Sequence, residues 1–310
     1  MAKYLLLAAL LALLPFDVKS QAADDTESTP AYSRQGADSC LACHDDQKTL
    51  AIFRTPHAVP TDPRSPFGHG QLQCESCHGP TGEHAGRVRR GQERAPAINF
   101  GSASSTPVSV QNTLCLGCHQ ADTGFGWHGN GHDSNDLACA DCHSSHASQD
   151  AVLQKSTQAS VCFDCHRQQK SQSLKPYSHP LRDGKMACGD CHSTHGSNPE
   201  HQLVRQTATD TCYQCHAEKR GPFLWEHAPV AEDCGTCHDP HGSNHPGMVR
   251  LRDPMMCQAC HSQAGHPSIV NDADGLPAAT PSLYLLGRNC LNCHTQIHGS
   301  NHPSGSKLMR

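Results

Sequence analysis

All twenty cysteines of this chain fall in C-x-x-C pairs, and every pair is followed directly by histidine. Taken as first thiol, second thiol and histidine, the ten motifs are Cys40, Cys43 and His44; Cys74, Cys77 and His78; Cys115, Cys118 and His119; Cys139, Cys142 and His143; Cys162, Cys165 and His166; Cys188, Cys191 and His192; Cys212, Cys215 and His216; Cys234, Cys237 and His238; Cys257, Cys260 and His261; and Cys290, Cys293 and His294. With 25 histidines in 310 residues, ten such coincidences have a probability on the order of 10⁻¹¹ from composition alone. C-x-x-C-H is the attachment sequence of c-type haem: two thiols add to the vinyl groups, and the adjacent imidazole is carried beneath the ring to the iron. A disulfide framework has no use for that histidine. Structural zinc pairs one knuckle with another, or with a more distant histidine. The spacing therefore predicts ten covalently bound haem c groups, with the twenty thiols as anchors and the ten motif histidines as proximal ligands.

Composition says what such a chain folds around. Leu, Ile, Val and Phe number 47 of 310 residues, too few for a conventional core and a level otherwise associated with disorder. The macrocycles must form the interior. The expected fold class is a multihaem cytochrome c: short α-helices following the C-x-x-C-H segments and irregular loops around a chain of ten haems, with little or no sheet, elongated overall. The two longest motif-free stretches, 85–114 and 267–289, are rich in Gly, Ser, Pro and Ala and read as surface loops or linkers. A net charge of -5 lacks the basic footprint of a nucleic-acid binder.

Residues 1–22 read as a Sec signal peptide, with Lys3, an apolar run from Tyr4 to Leu14 and small residues at Ser20 and Ala22. The run is shorter than the ~20 residues of a spanning helix. The remainder divides into an N-terminal pentahaem region, 23–166, and a C-terminal pentahaem region, 167–310, within one continuous haem array.

The other fifteen histidines sort by an internal repeat of two motifs. Each repeat holds a proximal histidine, a second histidine usually 13 residues on, another proximal histidine, and a last one three to six residues later. This nominates ten distal ligands: His57, His84, His132, His146, His179, His195, His227, His241, His266 and His298. Two imidazoles on opposite faces of one iron set their Cα atoms about 13 Å apart, while three residues span at most ~11 Å. In His143 and His146, or His192 and His195, the two members must therefore serve different irons, which forces neighbouring haems together. His69, His128, His201, His245 and His302 are left over as surface or propionate-contacting residues. The six methionines read as packing rather than as ligands, and Arg87, Arg89, Arg90 and Arg94 as a solvated run.

With a histidine available for both faces of every iron, no open position remains for a substrate. The chain reads as an electron carrier and not an enzyme. Ten stacked macrocycles, each adding roughly 5 to 8 Å, would span about 50 to 80 Å, more than the ~30 Å bilayer core. A multihaem oxyanion reductase with one displaced histidine is the less favoured alternative.

These segments resemble the periplasmic decahaem c-type cytochromes of the MtrA/DmsE type, notably Gly36-Ala37-Asp38-Ser39-Cys40, Gln73-Cys74-Glu75-Ser76-Cys77-His78-Gly79-Pro80, the stretch from Cys215 through Trp225-Glu226-His227-Ala228-Pro229-Val230, and His298-Gly299-Ser300-Asn301-His302-Pro303. The resemblance implies a conduit between periplasm and cell exterior, inserted in an outer-membrane β-barrel sheath protein. Its partners would be an outer-surface multihaem cytochrome or terminal reductase and periplasmic or inner-membrane cytochrome carriers. Metal-oxide respiration is the expected role, with extracellular dimethyl sulfoxide reduction or iron(II) oxidation as alternatives.

Overall fold

Each C-x-x-C-H segment closes a single helical turn. In nine motifs the histidine N–H donates to the carbonyl of the first cysteine, four residues back, at 2.8 to 3.0 Å. In the tenth, His119 is the last residue of a longer helix. This turn puts the two thiols, three residues apart, on one face, with the histidine stacked beside the first. The computed structural model describes residues 31–121, 126–196, 201–261 and 290–309. The leader 1–22, His266 and the stretch 267–289 lie outside the described residues.

The three longest helices are α1 (Val108–His119), α2 (Lys155–Cys162) and α3 (Arg167–Ser173). The sequence reading expected helices to follow the motifs. The short helices Gln47–Leu50 and Gly82–Ala85 do so, as does α3, while α1, α2 and the short helices Ala37–Leu41 and Ala208–Cys212 run into the motifs. A preceding helix continues into the motif's own turn without a break, because the hydrogen-bond spacing is the same. The histidine is where the backbone leaves that path: His143 is extended (φ -97°, ψ 135°), and His166 and His216 have ψ of 61° and 48°. The expected loop over 85–114 holds for 86–107 and gives way at its C-terminal end, where α1 begins at Val108.

Among the described residues there is no strand, only isolated bridges such as Tyr177 with Ser243 and Trp225 with Ser300. The described fold is helix and loop with little or no sheet, as the sequence implies. Among the described residues the buried apolar ones are Ala37, Ile52, Trp127, Ala138, Ala159 and Ala187, four of them alanines. Much of the fixing is polar. Gln111, 1% exposed, accepts from Gly101 N and donates to Thr106 O. Asn112 accepts from Cys139 N and donates to Leu137 O, tying α1 to the next motif. Met255 and Met309 are exposed, a departure from the packing role expected of them.

Contacts cross residue 166 freely. His143 faces His195, Asn130 donates to Thr194 O, and Lys155 pairs with Asp190 at 3.1 Å.

Candidate functional site

None of the twenty cysteines is in a disulfide. The first thiols of each odd-numbered motif and of the next one interact with one another: Cys40 with Cys74, Cys115 with Cys139, Cys162 with Cys188, Cys212 with Cys234, Cys257 with Cys290. The alternate junctions join second thiols close enough to interact electrostatically: Cys77 with Cys118, Cys142 with Cys165, Cys191 with Cys215, Cys237 with Cys260. The ten motifs are thus neighbours in sequence order, with two kinds of junction alternating. Burial raises Cys74, Cys212 and Cys257 to about 12, so in the haem-free chain they are protonated thiols at neutral pH.

The histidines meet in pairs. Metal–imidazole bonds of about 2 Å on both faces of one ion, with roughly 1.1 Å more to each ring centre, put two ring centroids about 6 Å apart. Nine pairs have this separation, each joining a motif histidine to a nominated distal one. His44 faces His84 at 6.3 Å, His119 faces His57 at 5.9 Å and His78 faces His146 at 6.2 Å. His166 faces His132 at 6.2 Å, His143 faces His195 at 5.9 Å and His216 faces His179 at 6.5 Å. His192 and His241, His261 and His227, and His238 and His298 each stand at 6.1 Å.

A rule of exchange runs through these pairs. The first motif histidine of a repeat faces the first distal histidine of the repeat before it. The second faces the second distal histidine of the repeat after it. His44, with no preceding repeat, takes His84 of its own.

Hydrogen bonds fix the tautomers. The second motif histidine of all five repeats is bonded through Nδ1: His78 to Ile98 O, His143 to Asp150 Oδ2, His192 to His201 O, His238 to Gly247 O and His294 to Lys307 O. Among the distal set, His84 donates to Ala95 O, His179 to Pro240 O and His227 to Ile297 O. A carbonyl can only accept, so Nδ1 carries the proton and the Nε2 lone pair is left for a metal. Burial keeps His57, His78, His195, His241 and His298 below the ordinary imidazole range, and hence neutral.

These side chains fit a c-type haem. The thiols share a face, the imidazoles stand at six-coordinate separation, and two buried donors, Trp127 Nε1 and Gln202 Nε2, have no hydrogen-bond partner. Trp127 lies edge-on to His195 at 5.8 Å, and an orphaned donor there suits a propionate carboxylate. Of the left-over histidines, His69, His128, His201 and His302 are exposed and His245 is half-buried. Of the four arginines, Arg94 donates to His84 O and Gly86 O, and all four are exposed. Sequence reasoning missed Asp150, Trp127 and the Nδ1 acceptors; backbone carbonyls carry no residue signature.

Thiol pairs, paired imidazoles and a helix-and-loop fold define a multihaem c-type cytochrome, a haem-binding electron-transfer protein. Comparison with known proteins agrees. Residues 179–221 and 227–266 match the doubled CXXCH motif family, and 74–158 match the NrfB-like cytochrome c-type proteins. Over 283 residues, 90% of this chain and 83% of the relative, it is 47% identical to the multiheme cytochrome MtrA of Shewanella baltica. The chain belongs to the MtrA family of multihaem cytochromes. It is also 30% identical to the cytochrome c-type protein NrfB of Escherichia coli over 52% of this chain and 82% of that one. NrfB of Haemophilus influenzae is 29% identical over 44% of this chain and 67% of that protein.

Proposed function

We propose that this chain is an electron conduit carrying ten haem c groups, each bound by two thiols and two imidazoles, and that it joins the periplasm to the cell exterior. Bound haem supplies one-electron exchange between ferric and ferrous iron. The protein's part is to anchor each group, cap both faces of its iron and hold neighbours close. The exchange rule leaves His294 and His266 for each other, His266 being outside the described residues. That gives every iron two histidines, leaves no open position for substrate, and favours a carrier over an enzyme.

The observation that carries this reading is the series of nine imidazole pairs, 5.9 to 6.5 Å apart, eight of which join one repeat to the next. Export through the 1–22 leader would deliver the chain to the periplasm. No helix of the described residues is long and apolar enough to cross a membrane. Irregular backbone stands at membrane depth only inside other protein, so a β-barrel sheath in the outer membrane is the partner that fits. Periplasmic or inner-membrane cytochromes would supply electrons, and an outer-surface multihaem cytochrome or terminal reductase would receive them for metal-oxide respiration. The pentahaem regions 23–166 and 167–310 then form one array.

The test is reconstitution in vesicles enclosing a redox dye. With chain and barrel present, external reductant reduces the dye; with either omitted, it does not. An unchanged dye with both present overturns the transmembrane role.

A further inference from the structure

The five second motif histidines are equivalent positions of one repeat and act as controls for one another. Four of them, His78, His192, His238 and His294, donate Nδ1 to a backbone carbonyl. The Nδ1 of His143 meets a carboxylate instead, Asp150 Oδ2, at 2.7 Å. The other oxygen, Oδ1, accepts from Ser144 N at 3.3 Å and Val152 N at 3.4 Å, which leaves Oδ2 aimed at the ring. The Asp150 side chain is 14% exposed and that of His143 35%, so solvent screens the pair weakly. His216 has a carboxylate neighbour too, but Glu218 Oε1 stands 3.8 Å away on an exposed pair, beyond hydrogen-bond length.

We infer that Asp150 is a positioning residue that makes the haem bound through His143 the hardest of these five to reduce. The inference rests on His143 being an iron ligand. A charge-assisted bond draws the Nδ1 proton toward the carboxylate and makes Nε2 a stronger donor than it is opposite a neutral carbonyl. A stronger donor, with a negative charge behind it, stabilises ferric over ferrous iron. The fourth group of ten then becomes an interior step at which a transferred electron is less stable than at the other four of these five. Current in either direction must climb over it.

The experiment is a spectroelectrochemical titration of the complete holoprotein against Asp150→Asn, which keeps an acceptor and removes the charge. One of ten components should shift to easier reduction by about tenfold in its reduced-to-oxidised ratio, equivalent to about 59 mV for one electron. The other nine should hold, and all irons should stay low-spin. Asp150→Glu should return most of the shift, and Asp150→Ser, which also removes the charge, serves in place of the amide variant should that fail to fold. Unmoved potentials in Asp150→Asn, or a uniform drift of all ten, would overturn the inference. His143→Ala separates it from the underlying reading: one high-spin iron there alongside unmoved potentials in Asp150→Asn sinks this inference alone, whereas ten low-spin irons sink the ligand assignment.

Discussion

His143 and His146 are three residues apart, yet they face His195 and His78 respectively. This yields a prediction that counts irons. His78→Ala with His146→Ala should produce one high-spin haem, because both rings serve one iron. His143→Ala with His146→Ala should produce two, and quantitative paramagnetic resonance of the oxidised protein distinguishes them. Glu75, 4% exposed and inside the second motif, offers a pH test. Burial alone would raise its pKa, but hydrogen bonds from Thr81 and Ser33 outweigh it and hold the carboxyl below its ordinary range. A depressed folded pKa gives stability that is present above the unfolded value, about 4.3, and is lost as pH falls through the folded one. Protection of the Ser33 and Thr81 amides from hydrogen exchange should therefore decline below about pH 4. Glu75→Gln should abolish that pH dependence and cost about 2 kcal/mol at neutral pH. The repeat spacing made the candidate rings legible in the sequence, since each distal histidine recurs at a similar offset. It could not reveal what each Nδ1 meets: the acceptor lies nine residues after His192 and His238 but seven after His143. A change of loop length there replaces a carbonyl with a carboxylate.

At the scale of elements, the scarcity of apolar residues correctly announced a fold without sheet or ordinary core. It did not say where the helices would sit. The helical turn of C-x-x-C-H is readable from its spacing, but the direction in which it extends depends on which flank can continue the same hydrogen bonds. Val108 to Leu114 can; the residues after His143 cannot, because the ring must leave the helical path. What then ties one turn to the next is polar. Asn112, 6% exposed on α1, satisfies both Cys139 N and Leu137 O, so it fixes the third motif against the fourth. Asn112→Ala should leave two backbone groups unpaired and lower stability by about 1 to 3 kcal/mol. Asn112→Asp should restore the bond to Cys139 N and lose that to Leu137 O, with an intermediate effect in thermal unfolding of the holoprotein. A glycine at the far end works by space instead: a Cβ on Gly299, at φ +128°, would collide with Phe223 Cδ2. Gly299→Ala should therefore disturb the Trp225–Ser300 bridge and weaken the hydrogen bond of Trp225 Nε1 to His302 O.

At the scale of the whole molecule, the order of the motifs in space is the order in the chain, a simplicity that ten identical signatures could not announce. The imidazole exchange is less simple. Every interior pair joins two successive repeats, so no repeat completes its own ligand set, and the array resembles a chain of swapped arms more than a row of beads. The consequence is measurable by shortening it. A chain ending at residue 175 keeps five motifs and retains the rings facing His44, His78, His119 and His166, namely His84, His146, His57 and His132. It loses His195, the ring opposite His143. Four low-spin haems and one high-spin haem are expected, and added free imidazole should convert the fifth to low-spin by filling the open face. Extending the chain to residue 225 restores the partner of His143 but removes His241 from His192, so the count should again be one, now of seven. Repeats that each closed on themselves would also give one high-spin iron at each length, but on the last motif, that of His166 and then that of His216, whose own repeat has lost its distal rings. The signature of exchange between neighbours is therefore where the remainder sits, on His143 and then on His192: adding His143→Ala to the chain ending at residue 175 should leave the count at one, whereas self-closed repeats would then give two.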